Sequence, residues 1–352
     1  MTSLAGAVSA GAWQNSTAMN ERTPPAPYPR LVADIGGTNA RFAIIESPGA
    51  APTHLRSMRC ADHAGPEEAL QAWRADTGAA LPEVAAFGIA TPLTGDQVAM
   101  TNHPWQFSIG ALRAALGLRR LTLVNDFTAL AFSLPLLGAD DLRPVGAGKA
   151  QPGAACGLIG AGTGLGVSGL LPAPGGYVPL QGEGGHVSLP ASTPREAAVI
   201  GVLAARHGHV SAERALSGPG LVAVHDALRA LDGAPALELA PAQVSARALD
   251  ASCPFCVEAA GLFCALLGTV AGDLALTLGA RGGIYIGGGV VPRLGELFLR
   301  SAFRERFVAK GRFRPWLEQV PTQVIVAPNA ALIGASAALD AVIEVGVSTR
   351  GV

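Results

Sequence analysis

Lysine is almost missing from this sequence. Lys149 and Lys310 are the only two. Neither lies in a Gly-Lys-Ser/Thr run, which excludes a Walker-type phosphate loop. Charge of either sign is sparse: 14% of residues are charged and the net charge is -1. That balance offers nothing to draw the chain to nucleic acid or to an anionic membrane. Aromatic residues make up only 5%, yet 49% of residues are hydrophobic, which excludes disorder as the general state. Five cysteines, an odd number, are too few for a disulfide framework in 352 residues and suit a reducing compartment. No basic segment precedes the small residues of 1–30, so no signal peptide is expected. That stretch ends in Thr23-Pro24-Pro25-Ala26-Pro27 and reads as a disordered extension. Long hydrophobic runs are also scarce. Residues 259–280 could span a bilayer by length. Asp273 lies inside that run and no basic cluster flanks it closely, so a buried helix is expected, with Gly261, Gly268 and Gly272 allowing close packing.

What is present has a layout that occurs twice. The length suggests two domains. An apolar run from Leu31 reaches Asp34, turns through Gly36-Gly37-Thr38-Asn39, and resumes at Phe42: strand, tight turn, returning strand. A third strand is expected to include 58–60. Pro66-Glu67-Glu68 opens a helix that turns Ala69, Leu70 and Trp73 to one side. A buried strand is expected over 84–90, a Ser108-capped helix after it, then a strand over 121–124 with Asn125-Asp126 at its end and a helix running to Pro135. The pattern restarts at 156–169, again strand, Gly/Thr turn and strand. Thr193-Pro194-Arg195-Glu196 is a helix start, and a long apolar helix covers about 254–278. A strand over 283–286 meets Gly287-Gly288-Gly289, a last strand covers 322–326, and a small-residue helix over 329–339 crosses back to the first half. Two α/β units with similar openings suggest two lobes with a ligand cleft between them.

Four groups of residues can carry chemistry. Three Gly-rich turns follow apolar strands: Gly36-Gly37-Thr38, Gly160-Ala161-Gly162-Thr163-Gly164 and Gly287-Gly288-Gly289. Backbone amides there, with a bridging divalent cation near Asp34, could neutralise phosphates without lysine. The Gly36 turn taken alone reads first as an ordinary hairpin. Asp126 stands at a strand end, where a carboxylate serves either as a general base or as a helix N-cap. Glu183 and His186 share a glycine-rich turn that suits vicinal hydroxyls; a packed histidine or a metal ligand is the alternative. Glu213 is a further hydroxyl acceptor or an exposed helical glutamate. Cys253-x-x-Cys256 is half of a zinc spacing, and no zinc is expected from it.

The segments ADIGGTNAR, TNHPWQFSI, VNDFTAL, GAGTGLG, LQGEGGHV, HVSAERALSGPGL, IGGGVVPR and KGRF, in this order from about Leu31 onward, closely resemble the bacterial glucokinase family. That family belongs to the actin, hexokinase and sugar kinase superfamily. The resemblance implies a two-lobed, ribonuclease H-like α/β fold with the active-site cleft between the lobes. It also implies ATP-dependent phosphorylation of the glucose 6-hydroxyl, Mg²⁺, a role in glycolysis, a cytoplasmic location and a homodimer. Carried over by position, Asn125, Asp126, Glu183, His186 and Glu213 bind glucose and Asp126 is the base. ATP falls on Ala33, Asp34, Ile35, Gly36, Gly37, Thr38 and Asn39, then on Gly162, Thr163, Gly164, Gly288 and Gly289. Asp34 lies on the Mg²⁺ side, acting through water. The cysteine cluster with which related repressor and open-reading-frame kinases hold zinc has no counterpart here. The expected division is a small domain of 31–136 plus 327–352, a large domain of 137–326, and the 1–30 extension. A kinase of mannose, fructose or an amino sugar is the nearest rival. A sugar-sensing DNA-binding regulator is disfavoured, since no helix-turn-helix or basic segment is present.

Overall fold

The computed structural model describes residues 25–341 and 347–350. Of the expected 1–30 extension, residues 1–24 lie outside the described residues.

The first lobe is built on β1 (Arg30–Ile35), β2 (Asn39–Ile45), β3 (Thr53–Arg59), α1 (Pro66–Thr77), β4 (Val84–Ile89), a small hairpin of β5 (Gln97–Ala99) and β6 (Gln106–Ser108), α2 (Ile109–Ala115), β7 (Arg120–Asn125) and α3 (Asp126–Ser133). Strands β7, β4 and β1 run parallel; β2 pairs antiparallel with β1, and β3 antiparallel with β2 at the edge. Successive side chains of a strand point to opposite faces. Ala85, Phe87 and Ile89 therefore join Leu70, Trp73 and Leu112 on the α1/α2 side, while Val84 and Ala86 join Ala129 and Ala335 on the other. Burial on both faces explains why β4 reads as an unbroken apolar run. Register sets the ligand edge. Ile35 pairs with Ile89 and Ile89 with Asn125, so the Gly36 turn and Asp126 leave the same edge two strand spacings apart, roughly 10 Å.

The second lobe comprises β8 (Leu142–Pro144), β9 (Cys156–Ala161), β10 (Leu165–Ala173), β11 (Gly176–Pro179), α4 (Pro194–His207), α5 (Gly218–Leu231), α6 (Pro241–Leu249), α7 (Pro254–Leu278) and β12 (Gly283–Gly287). Short helices α8 (Val290–Leu294), α9 (Glu296–Leu299), α10 (Phe303–Val308) and α11 (Arg314–Glu318) lead to β13 (Thr322–Ile325). Its sheet is ordered β11-β10-β9-β12-β13-β8. Helix α7 is the apolar run that could have spanned a membrane by length; here it forms the buried axis of the large lobe's core. The missing side chains of Gly268 and Gly272 admit α10, since a Cβ there would stand 2.2 Å from the Phe303 carbonyl oxygen and 2.6 Å from that of Phe307. Gly261 faces open space instead.

The chain then returns to the first lobe. Helix α12 (Ala330–Ala338) packs across α3, and β14 (Val347–Arg350) pairs antiparallel with β7.

Three local expectations change. Arg30 is fully buried as the first residue of β1, and its guanidinium binds Asp340 at 2.7 Å and the Ser336 carbonyl at 2.9 Å. Residues 25–30 are therefore part of the small lobe rather than of an extension; a buried guanidinium needs hydrogen-bond partners, and Ser336 of α12, Asp340 just past it and the carbonyls of Ala26 and Pro27 supply them. The third strand spans 53–59, and Cys60 turns away in a 3-10 segment, where its thiol donates to the Gly36 carbonyl at 3.3 Å. Helix α3 ends at Ser133, and a 3-10 turn follows through Pro135.

Candidate active site

Asn125, not Asp126, caps α3. Its Oδ1 accepts from the amides of Phe127 at 3.0 Å and Thr128 at 3.3 Å. Its Nδ2 donates to Asp126 Oδ1 at 2.9 Å, and the Phe127 amide donates to the same oxygen at 2.9 Å. A residue committed to capping would have its carboxylate aimed back along the helix. Here the neighbour has that task, and Asp126 is held by one oxygen at the strand-helix junction. Burial pushes its carboxyl up to about 6, and the negative charge of Asp34 adds to the rise, against the Phe127 and Asn125 hydrogen bonds. Asp34 also lies above the usual carboxylate range, raised by burial and pulled down by Arg41, whose guanidinium is 3.1 Å away. Two carboxylates that oppose each other's ionisation fit a divalent cation or a proton between them.

A cleft cavity of ≈ 560 Å³ lies between the lobes. From the small lobe it is lined by Gly36, Gly37 and Thr38, and by Asn125 and Asp126. The large lobe contributes Gly162, Thr163, Gly164, Glu183, Glu213 and Gly288. The Gly36 and Gly162 amides close their own turns, onto the carbonyls of Asn39 at 2.9 Å and Gly164 at 2.8 Å. Glu213 sits in a 3-10 turn, where its Oε2 accepts from the Leu165 amide at 2.8 Å. A Cβ on Gly164 would stand 2.4 Å from that oxygen, so glycine is needed for the carboxylate to reach across. Gly166 likewise makes room for the Phe127 ring, which seats α3 against β10. The third glycine turn packs on the second: Gly288, at φ +77°, brings its backbone so close to Ala161 that a Cβ would lie 2.3 Å from the carbonyl oxygen.

The structure therefore brings Asn125, Asp126, Glu183, Glu213 and the tips of two glycine turns to one cavity. Ala33, Asp34, Ile35 and Asn39 stand in β1 and β2 behind the first turn. Asp34 lines a second cavity of ≈ 490 Å³ together with Arg41, Asp126, Gly288 and Gly289. His186 is exposed at the end of the Glu183 turn and does not line the cleft in this arrangement. Among the described residues, no lysine or arginine lines the cleft cavity. Three carboxylates without a cation suit a neutral polyol, whose hydroxyls donate, better than an anion.

A family model described as glucokinase matches residues 31–342. The chain belongs to the glucokinase family. The glucokinase of Aromatoleum aromaticum is 62% identical over 314 residues, covering 89% of this chain and 95% of that one. The crystal structure of a glucokinase from an Antarctic psychrotroph superposes with a TM-score of 0.81 at 37% identity, covering 89% of this chain and 99% of the other. A more distant ROK family glucokinase from Streptomyces griseus, in complex with glucose and AMPPNP, shares the fold alone, with a TM-score of 0.61 at 19% identity over 88% of this chain and 98% of that one. The two-lobed glucokinase fold expected from the motifs is the observed one.

The cleft of this glucokinase family member also contains polar residues that sequence reasoning did not single out. Thr91, Thr101 and Asn102 line it. The Thr91 hydroxyl is 3.0 Å from the Ala99 carbonyl and 3.1 Å from the Thr101 hydroxyl. Gly37 lies against Asn102: a Cβ on the glycine would stand 3.0 Å from the Asn102 Cβ. A Thr-Asn pair between an apolar strand and His103-Pro104 was a usable signal. Its distance in sequence from the Gly36 turn concealed it.

Proposed function

We propose that the chain transfers the γ-phosphoryl group of ATP to the 6-hydroxyl of glucose, with Asp126 as the general base. The observation that carries this reading is a half-shielded carboxylate, with a raised pKa, at the meeting point of two glycine turns and a carboxylate-lined cleft. Asp126 takes the hydroxyl proton as the oxygen attacks; Asn125 orients Asp126 and caps the helix that positions it. Glu183 and Glu213 accept sugar hydroxyls, and the amide-rich tips at Gly37-Thr38 and Thr163-Gly164 flank the transferring group from opposite lobes. His186 would join them when the lobes close and exclude water. Asp34, facing the same cavity as Asp126, would hold Mg²⁺ through water, and that ion supplies charge neutralisation along the phosphates. Five free thiols are consistent with a cytoplasmic location. The homodimer is carried over from the family resemblance alone.

A coupled assay of ADP release tests the reading over glucose, mannose, fructose and glucosamine. Glucose is expected to show the highest kcat/KM. A higher value for another sugar would transfer the assignment to that hexose.

The acid limb of the rate profile follows from Asp126. The ionised carboxylate is the active form, and its pKa stands at about 6. Below that pH, kcat/KM is expected to fall about tenfold per unit, with a plateau above it. Asp34→Asn removes the neighbouring negative charge, so the limb is expected to move to lower pH even as the rate drops. A limb that stays in place would remove Asp34 from the electrostatics of the base.

A further inference from the structure

Helix α7 begins with Cys253 as its N-cap, Pro254 in its first position and Cys256 one turn in. The spacing puts both thiols at the same end of the helix, and by itself it is half of a metal site. Packing supplies more. Helix α5 crosses this end of α7 and carries His225, whose side chain is fully buried. A ring nitrogen of His225 and the two Sγ atoms lie within 4.8 Å of one another. His225 Nδ1 is 2.9 Å from Asp226 Oδ1, while buried Nε2 has no hydrogen-bond partner. A carboxylate on one ring nitrogen fixes the tautomer and leaves the other with a lone pair, which is how metal-ligating histidines are held. A buried nitrogen without a partner is otherwise costly to keep.

We propose that His225, Cys253 and Cys256 form a structural site for a thiophilic divalent cation, with zinc the best match. Two sulfurs and one imidazole are soft ligands that select zinc over magnesium or calcium. Two thiolates and a neutral imidazole balance the charge of Zn²⁺ and fill three of its four tetrahedral positions, leaving the fourth to an exogenous ligand. The Arg229 guanidinium lies over the ring of Phe255, between the two cysteines in the chain, at 5.1 Å. Asp226 is the acidic group in direct contact, through the histidine. Outside the catalytic cleft, the ion would tie α5 to the start of α7. Helix α5 follows the Glu213 turn, and its Gly218 amide donates to the Gly162 carbonyl at 2.8 Å, so the clamp would steady one wall of the cleft from behind.

The test uses the full chain, purified from zinc-replete medium without chelator. Elemental mass spectrometry is expected to find about one zinc per chain. After chelation, titration with Co²⁺ is expected to give the intense thiolate-to-cobalt charge-transfer absorption of a tetrahedral site. Cys253→Ser with Cys256→Ser is expected to abolish that absorption, and His225→Gln to weaken cobalt binding by about 10- to 100-fold. Zinc below about a tenth per chain, with no charge-transfer band in the wild type, would overturn the site. So would undiminished zinc in the double variant, or a Cys253–Cys256 disulfide in protein isolated without oxidant. The wild-type titration decides the question even if a variant does not fold.

Discussion

Asp126→Asn is expected to lose about 10²- to 10⁴-fold in turnover while the protein folds normally. The amide oxygen of the new side chain can still accept from the Phe127 amide and from Asn125 Nδ2, so the junction between β7 and α3 keeps its hydrogen bonds. What disappears is the site that receives the hydroxyl proton. The thermal midpoint is expected to stay level or to rise. Because the folded-state pKa of Asp126 is raised, its ionised form is disfavoured in the fold; the destabilisation grows as pH rises from the unfolded value toward about 6 and persists above it. Neutral asparagine relieves it. Glucose binding, read by calorimetry or intrinsic fluorescence, is expected to weaken but persist through Glu183 and Glu213. Near wild-type turnover in this variant would exclude Asp126 as the base.

Gly334→Ala is expected to damage the fold more than any surface change of the same size. Helices α12 and α3 cross at this glycine, and a Cβ would stand 1.8 Å from the Ala129 carbonyl oxygen and 2.9 Å from the Ser133 amide nitrogen. Both are backbone atoms within a helix, so no side-chain rotation relieves the contact; the helices must separate. Overpacking of this kind costs about 3 kcal/mol, or roughly 4 °C in the thermal midpoint at this chain length. Because Asp126 is the first residue of α3, a shift of the helix also moves the base, and kcat/KM is expected to fall with stability. Gly261→Ala is the matched control. That residue is exposed on α7, and a Cβ there would meet no atom within 4 Å. Alanine at this position is expected to stabilise by up to about 1 kcal/mol. Equal midpoints for the two variants would show that the α3–α12 crossing tolerates separation.

Local patterns carried much of this fold. Helix α1 was legible from Pro66 and the Ala69, Leu70 and Trp73 face, which is the buried face observed. The Ser108 and Thr193 caps accept from Ala111 and Glu196 as such residues do three positions ahead of an amide. Both glycine hairpins, and α7 with its bounds at 254 and 278, were readable for the same reason: each is decided by neighbours a few positions away. Arg30 is misread from sequence because its partner Asp340 lies at the far end of the chain, and a Pro-rich flank resembles a solvated tail until that partner is in place.

The sequence alone determined the two α/β units, the glycine turns between their strands, and, through motif order, the glucokinase family. These depend on short-range periodicity and turn chemistry, which leave a mark in consecutive residues. Only the tertiary structure decided which of Asn125 and Asp126 caps α3, that Glu213 reaches the Leu165 amide across Gly164, and that His225 meets Cys253 and Cys256. Such meetings are set by strand register and helix crossings between distant segments. Nothing in the local sequence around either partner records the distance to the other. The double-glycine turn after Asp34 lies on both sides of that division: its shape is local, and its place beside Asp126 comes from the pairing of β1, β4 and β7.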